Sequence, residues 1–290
     1  MSHPCPAAPA RTAAGRRGPR AVVVLLSAVT ALVSLGALHA PPAAAAPADP
    51  AATPPRTGPK AQPRVTAAVL DLDGTGRVPT VHGADAHYDT ASIIKVDILA
   101  TLLLQAQDAG RRLTPQERAQ AEPMIRHSDN AAANALWREI GRAPGLQAAN
   151  KRLGLITTQG GPGPAWGLTR TTASDQIRLL RAVFDHGAGP AGAPALGERS
   201  RAYIRSLMSR IADEQSWGVS AAAGSSWELK NGWLQRTTTG LWDVNSVGRV
   251  SKGGRHYLVA VLSDGNATMG DGVSRVEKAA RAAVAAASAR

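Results

Sequence analysis

Cysteine is nearly absent from this chain of 290 residues; the only one is Cys5. It lies ahead of an apolar run, Ala21 to Leu38 (AVVVLLSAVTALVSLGAL), which follows a basic start containing Arg11, Arg16, Arg17 and Arg20. The run leads into Pro41-Pro42-Ala43-Ala44-Ala45-Ala46, whose small residues offer cleavage choices. That order of features reads as a secretory signal over residues 1–46. The apolar run is also nearly long enough to span a bilayer, so an uncleaved anchor is the alternative. The residues after Arg16-Arg17 fit a twin-arginine signal poorly. Cys5 stands before the run, not at its cleavage end, so it is no lipobox cysteine and would leave with the signal. An exported body without a thiol excludes disulfides, thiol catalysis and cysteine-ligated metals.

Other absences narrow the reading further. Pro47 to Arg64 has almost no large apolar residues and is rich in Pro, Ala and Thr. It should be a disordered linker before the folded body, residues 65–290. The histidines are scattered without metal-ligand spacing, so no metal and no cofactor is expected. The basic residues are dispersed and no nucleic-acid motif is visible, which argues against nucleic acid as a partner. The net charge of +12 falls to +8 without the four arginines of the signal. An exported protein of that charge could associate with anionic cell-wall polymers. No internal repeat is apparent, and a monomer is expected.

The folded body begins and ends with strand patterns. Val65 to Asp71 is an apolar strand, Asp73-Gly74-Thr75-Gly76 is turn chemistry, and Arg77 to Val81 can return as the second strand of a hairpin. Pro79 places that second strand at an edge or ends it early. Ser92 to Ala109 has apolar residues at helical spacing. Thr114-Pro115-Gln116-Glu117 opens a second helix, with Thr114 as N-cap and Pro115 in the first turn. A third helix follows Ser128, and a fourth covers Asp175 to Phe184. Gly160 to Gly167 and Gly187 to Gly197 read as Gly/Pro loops. Ser226 to Leu234, Gly240 to Val250 and His256 to Leu262 are strands, and Gly272 to Arg290 is a terminal helix. Strands, helices, strands and a helix predict an α+β fold. In it, an antiparallel sheet from both chain ends is flanked by helices and carries an inserted all-helical subdomain over about residues 92–213.

Three short segments carry the chemistry. In Ser92-Ile93-Ile94-Lys95, serine and lysine lie three apart at a helix start and share one face. A serine hydroxyl is a poor nucleophile until a base takes its proton. A lysine serves if burial and neighbouring positive charge lower its pKa. The plainer reading is a capping serine with a surface lysine, but Lys95 sits inside an apolar run. In Ser128-Asp129-Asn130, Ser128 or Asp129 suits a helix N-cap, while a hydroxyl and an amide together can relay a proton and hold a substrate amide. In Lys230-Asn231-Gly232, within a strand, the plainer reading is an edge lysine kept for solubility.

In this order the three segments match the element set of penicillin-recognising serine enzymes. The chain from about Val65 onward resembles the class A β-lactamase and penicillin-binding-protein superfamily. The resemblance implies that Ser92 is the nucleophile, Lys95 its base and Ser128 the proton relay. It implies that Lys230 tunes Lys95 and meets a substrate carboxylate, and that Asn130, Asn231, Gly232 and Trp233 bind substrate. The amides of Ser92 and Trp233 would form the oxyanion hole, and Asn134 in SDNAAAN would be structural. The implied substrate is a small-molecule β-lactam or a D-Ala-D-Ala-like peptidoglycan peptide.

The chain also departs from that pattern. Class A enzymes activate the deacylating water with a glutamate in the loop before a T-T-rich helix start. Here Leu155 to Trp166 (LITTQGGPGPAW), before Arg170-Thr171-Thr172, contains no acidic residue. Asn231 replaces the commoner threonine or serine, the segment between Lys95 and Ser128 is short, and Trp233 is bulky beside the nucleophile. Of Trp217, Trp227, Trp233 and Trp242, at least two should pack the core. Impaired deacylation, or a non-turnover penicillin- or muropeptide-binding protein, follows as the alternative to an efficient hydrolase. A remote alternative comes from Asp71-Leu72-Asp73-Gly74-Thr75, which resembles the nucleophile motif of Mg-dependent haloacid-dehalogenase-type phosphatases, with Gly270-Asp271-Gly272 as a late acidic echo. A polar hairpin turn explains the first segment better. His127 beside Ser128 is a rim residue.

Overall fold

The computed structural model describes residues 62–75, 78–185 and 195–289. The expected signal and most of the expected linker, with Cys5, and most of the segment expected as a loop before Gly197 lie outside the described residues. Chain order runs β1 (Arg64–Asp71), β2 (Thr80–His82), β3 (Tyr88–Asp89), α1 (Ile94–Asp108), α2 (Pro115–Arg126), α3 (Asn130–Glu139) and α4 (Arg142–Leu153). It continues with β4 (Arg170–Thr171), α5 (Ala173–Phe184), α6 (Glu198–Met208), β5 (Ser226–Gln235), β6 (Trp242–Lys252), β7 (Arg255–Asn266) and α7 (Met269–Ser288).

Five strands form one antiparallel sheet in the order β2-β1-β7-β6-β5, so both ends of the folded chain contribute to it. The α+β expectation is met, with α1 to α6 inserted between β3 and β5. Pro79 acts as anticipated: the second strand starts only at Thr80 and occupies the sheet edge. Side chains alternate across the sheet and feed two cores. Ala68 and Leu70 of β1, with Leu258, Ala260 and Leu262 of β7, pack against the helical insertion. Ala67 and Val69, with Tyr257, Val259 and Val261, pack against α7 through Val276, Ala280 and Val284. The order is therefore helix, sheet, helices. Trp217, Trp227, Trp233 and Trp242 all lie against the α7-side core, where Trp217 and Trp233 have ring centroids 5.9 Å apart.

Local signals explain most helix ends. Thr114 and Glu117 form a reciprocal capping box, with Glu117 N donating to Thr114 Oγ1 at 3.1 Å and Thr114 N to Glu117 Oε2 at 2.6 Å. Asp129 caps α3 by accepting from Ala132 N at 2.7 Å. Neither Thr90 nor Ser92 caps α1; a 3-10 turn over Ala91–Ile93 leads into it instead. Two helices escaped the sequence pattern. Helix α4 contains Pro144 and Gly145 and lies between Gly141 and Gly154, both left-handed, so it looks like loop chemistry. Helix α6 follows Gly197 and has a polar sequence whose few apolar anchors include Ile204, Leu207 and Met208.

The phosphatase alternative fails on this topology, because β1 runs antiparallel to both neighbours. Its carboxylates close the hairpin instead. Asp71 Oδ1 accepts from the amides of Asp73 and Gly74, and Asp71 pairs with Arg255. Asp73 Oδ2 accepts from His256 N at 2.6 Å. Asp271 sits in the first turn of α7, capped by Thr268.

Two features of this packing generate tests. Gly232 of β5 has no room for a side chain: a Cβ there would lie 2.6 Å from Ser92 N, 2.7 Å from Ile93 N and 2.8 Å from Thr90 O, all backbone atoms. Gly232→Ala must push β5 away from the 90–93 turn and should cost about 1–3 kcal/mol in denaturant unfolding; an unaltered midpoint contradicts this close approach. Asp97 in α1 is fully buried against Asn150, and burial raises its carboxyl to about 8. The folded state then holds a proton that the unfolded chain releases near its ordinary value of 3.8, so this group erodes stability as pH rises from about 4 to 8. Asp97→Asn should lose less stability than the parent between pH 5 and 8; parallel stability curves would contradict the raised pKa.

Candidate active site

The site is built where β5, the turn before α1 and the start of α3 meet. Gly232 and Asn245 are cross-strand partners on β5 and β6. The missing Cβ of Gly232 makes room for the 90–93 turn, and Asn245 grips the same turn. Its Nδ2 donates to Asp89 O at 2.9 Å and Thr90 O at 3.1 Å. Its Oδ1 accepts from Ser263 N at 3.1 Å. Ala91 in that turn has φ +46° and Ser128 has φ +55°, a left-handed backbone that side chains rarely adopt. Two strained residues at one site mark a constraint that packing elsewhere must hold.

Ser92, in the 3-10 turn, is partly exposed, while Lys95, one turn further, is fully buried in α1. Lys95 Nζ donates to Ser128 O at 2.6 Å, Ser128 Oγ at 3.0 Å and Asn130 Oδ1 at 2.8 Å. Lys230, fully buried in β5, donates to the same Ser128 Oγ at 3.0 Å and to Asn231 O at 2.9 Å. Burial pushes Lys95 down to about 7, with Asp129 pulling the other way. Burial, and then the charge of Lys95, take Lys230 well below its usual range. Two ammonium groups about one hydroxyl repel, so the site favours a state with at least one neutral amine near pH 7. A neutral amine accepts the hydroxyl proton, which makes Ser128 a possible bridge for proton movement between the lysines.

The segments foreseen in the sequence thus converge, although not every side chain sits where the resemblance implied. Ser92, Lys95, Ser128, Asn130, Lys230 and Gly232 come together. The close approach at Gly232 is filled by the chain's own Thr90–Ile93 backbone instead of by a substrate. Asn231, taken for a substrate contact, is fully buried, and its Nδ2 donates to Gln215 O at 2.7 Å and Trp217 O at 2.9 Å. Its amide ties β5 to the segment before it, because alternation turns it to the opposite face from Lys230 and Gly232. The Trp233 ring is half-buried against Trp217, and its backbone amide follows Gly232 on the edge strand.

Two participants were missed. Asn245 looked like one more polar residue of β6, which also carries Asp243, Ser246 and Arg249, so no local signal set it apart. Trp166 was passed over as the end of a Gly/Pro loop. Its ring lies over Lys95 Nζ, 4.8 Å from the centroid, and its Nε1 donates to Asn134 Oδ1 at 2.7 Å. Asn134 therefore has the structural part expected of it. Upstream in the same loop, Ile156 N, Thr157 N and the hydroxyls of Thr157 and Thr158 donate to the Asp175 carboxylate of α5. Burial opposes its ionisation, but these donors with Arg178 hold Asp175 below its usual range. No cluster of metal-ligating side chains occurs among the described residues.

Comparison with known proteins bears on the fold and the family. Among solved structures, PBP-A has a TM-score of 0.65 at 20% identity, with 81% of this chain and 93% of that one covered. A class A beta-lactamase from Mycobacterium abscessus has a TM-score of 0.62 at 18% identity, covering 78% and 94%. At these identities the likeness establishes the fold. The "Putative lipoprotein LppW" of Mycobacterium tuberculosis is 29% identical over 125 residues, 43% of this chain. The chain spans only 39% of the length of that curated relative. The model of the Beta-lactamase enzyme family matches residues 118–289, more than half of the sequence, from within α2 to the end of α7. The chain belongs to the beta-lactamase enzyme family.

Proposed function

We propose that this protein is an exported serine hydrolase acylated on Ser92 by a β-lactam or a D-Ala-D-Ala-like amide. The observation that carries this reading is the meeting of Lys95 and Lys230 at the Ser128 hydroxyl, each at 3.0 Å, beside the turn that holds Ser92. Neutral Lys95 takes the Ser92 proton as Ser92 Oγ attacks the amide carbonyl. The C–N bond then breaks, and Ser128 passes a proton to the leaving nitrogen. The amides of Ser92 and Trp233 are the candidate donors to the oxyanion. Lys230 is the candidate partner for a substrate carboxylate, whose charge would favour its protonated form, and Asn130 can orient the substrate amide. PBP-A, one form of which is recorded as an acyl-enzyme with penicillin G, shares this fold. Action outside the cytoplasm is inferred from the basic start and apolar run of residues 1–46 and from similarity to a relative named as a lipoprotein. Peptidoglycan peptides and anionic wall polymers are the partners this location suggests for a chain whose net charge of +12 becomes +8 without the four arginines of residues 1–46.

A second reading, a penicillin- or muropeptide-binding protein that acylates without turnover, is favoured by the acid-free stretch from Leu155 to Trp166. Labelling with a fluorescent penicillin tests both. Covalent label should appear on the parent chain and vanish in Ser92→Ala, and Ser128→Ala should slow labelling by about 10²-fold or more. The labelling rate should rise with pH through about 7, because only the deprotonated amine of Lys95 can accept a proton. Label that persists in Ser92→Ala removes the nucleophile from this account. Rapid turnover of a chromogenic cephalosporin selects the hydrolase; a stable adduct selects the binding protein.

A further inference from the structure

The Trp166 indole is the part of the site whose purpose the acylation chemistry leaves unexplained. Its face covers Lys95 Nζ and its only polar atom is spent on Asn134. The backbone around it is latched to the residues just before the nucleophile. Thr90 N donates to Thr169 O at 2.8 Å, and Thr90 Oγ1 donates to Gly167 O at 3.5 Å. Within the loop, Thr169 N donates to Trp166 O at 3.0 Å and Gly161 N to Thr169 Oγ1 at 3.0 Å. A Cβ on Gly161 would come within 2.1 Å of Ala165 O, so the loop is drawn tight just ahead of the indole. Trp137 Nε1 donates to Gly163 O at 2.8 Å and fixes the loop to α3. The indole is thus held in place from three sides.

Removing an acyl group from Ser92 by hydrolysis needs a water and a base. The water oxygen attacks the ester carbonyl, the bond from carbon to Ser92 Oγ breaks, and the acid departs. The water gives its proton to the base, which returns a proton to Ser92 Oγ. The groups that face this point are Lys95 of α1, Lys230 of β5, Ser128 with Asp129 and Asn130 at the start of α3, and the indole. Asp129 is committed to capping α3. Lys95 is then the candidate base, and the Trp166 ring lies over its amine, 4.8 Å from the centroid. An indole neither accepts a proton at neutral pH nor offers a second donor once Nε1 is bound.

We propose that Trp166 is a positioning residue that prolongs the life of an acyl group on Ser92, by roofing Lys95 and denying a hydrolytic water a place beside it. The proposal rests on acylation at Ser92 and specifies how the site discriminates against water. A cation–π contact of this kind also steadies the lysine while it is charged. Opening the roof gives water access and leaves the amine in place, so deacylation becomes faster and dependent on the protonation of Lys95.

The test follows decay of a penicillin adduct by intact-mass spectrometry on the full chain, with circular dichroism to verify folding. The parent adduct should be long-lived; a parent that sheds the acyl group rapidly overturns the roof, whichever reading of the function holds. Trp166→Ala should still acylate and lose the adduct about tenfold faster or more, at a rate that increases with pH as Lys95 deprotonates. Trp166→Phe, which keeps a ring, should stay within about threefold of the parent. Should Trp166→Ala not fold, Asn134→Ala unhooks the indole without removing it and should shorten the adduct lifetime by about threefold or more. An adduct on Ser92 that decays equally in parent, Trp166→Ala and Asn134→Ala overturns the roof while leaving acylation intact. Absence of any Ser92 adduct in every form overturns the acylation reading, and the roof with it.

Discussion

Two buried amines sharing one hydroxyl are the constraint around which this protein is arranged. Burying an ammonium group is costly unless it is paired or gives up its proton. Among the described residues, Lys95 and Lys230 have no carboxylate in direct contact; their hydrogen bonds go to the oxygens of Ser128, Asn130 and Asn231. Their mutual repulsion and the low surrounding polarity favour loss of a proton. The surrounding fold must hold them together against that repulsion, and the left-handed residues Ala91 and Ser128 flank the place where it does so. A basic amine near neutral pH is the chemical return on that arrangement.

The rest of the architecture supplies rigidity to this point. The sheet carries Gly232 and Asn245 opposite each other, so one strand pair both makes room for the 90–93 turn and grips it. Asn231 turns the other way and ties β5 to the segment ending at Trp217. Helix α5 holds the 156–158 segment through the Asp175 carboxylate, upstream of the stretch that bears Trp166. The helical insertion buries Lys95 within an apolar core, and α7 covers the opposite face of the sheet. Asn130, exposed at the start of α3, remains available to a substrate on the side that the core does not enclose.

Much of this was legible in the sequence, because its signals were local. Thr114 to Glu117 wrote its own capping box, Pro79 delayed an edge strand, and strand patterns at both ends of the folded body gave the antiparallel sheet. Ser92, Lys95, Ser128 and Lys230 were recognisable as a set because each segment has fixed internal spacing. What escaped depends on contacts between segments distant in the chain. Asn231 fitted a motif by position, but the face it occupies was decided by the strand register. Trp166 sat in a Gly/Pro loop whose path is set by Thr90, Asn134 and Trp137, none of them near it in sequence. Helix α4 was hidden because its own glycines and proline argue for a loop, while burial of Leu146, Ala149 and Leu153 overrides them.

The central claim is that the Lys95 amine loses its proton near neutrality because it is buried beside Lys230. With only six lysines in the chain, their side-chain carbon resonances can be followed by NMR across pH and assigned with Lys95→Arg and Lys230→Arg. The account predicts a Lys95 titration near 7 and a Lys230 titration well below the ordinary lysine range. Lys95 and Lys230 both titrating near 10.5 would contradict it.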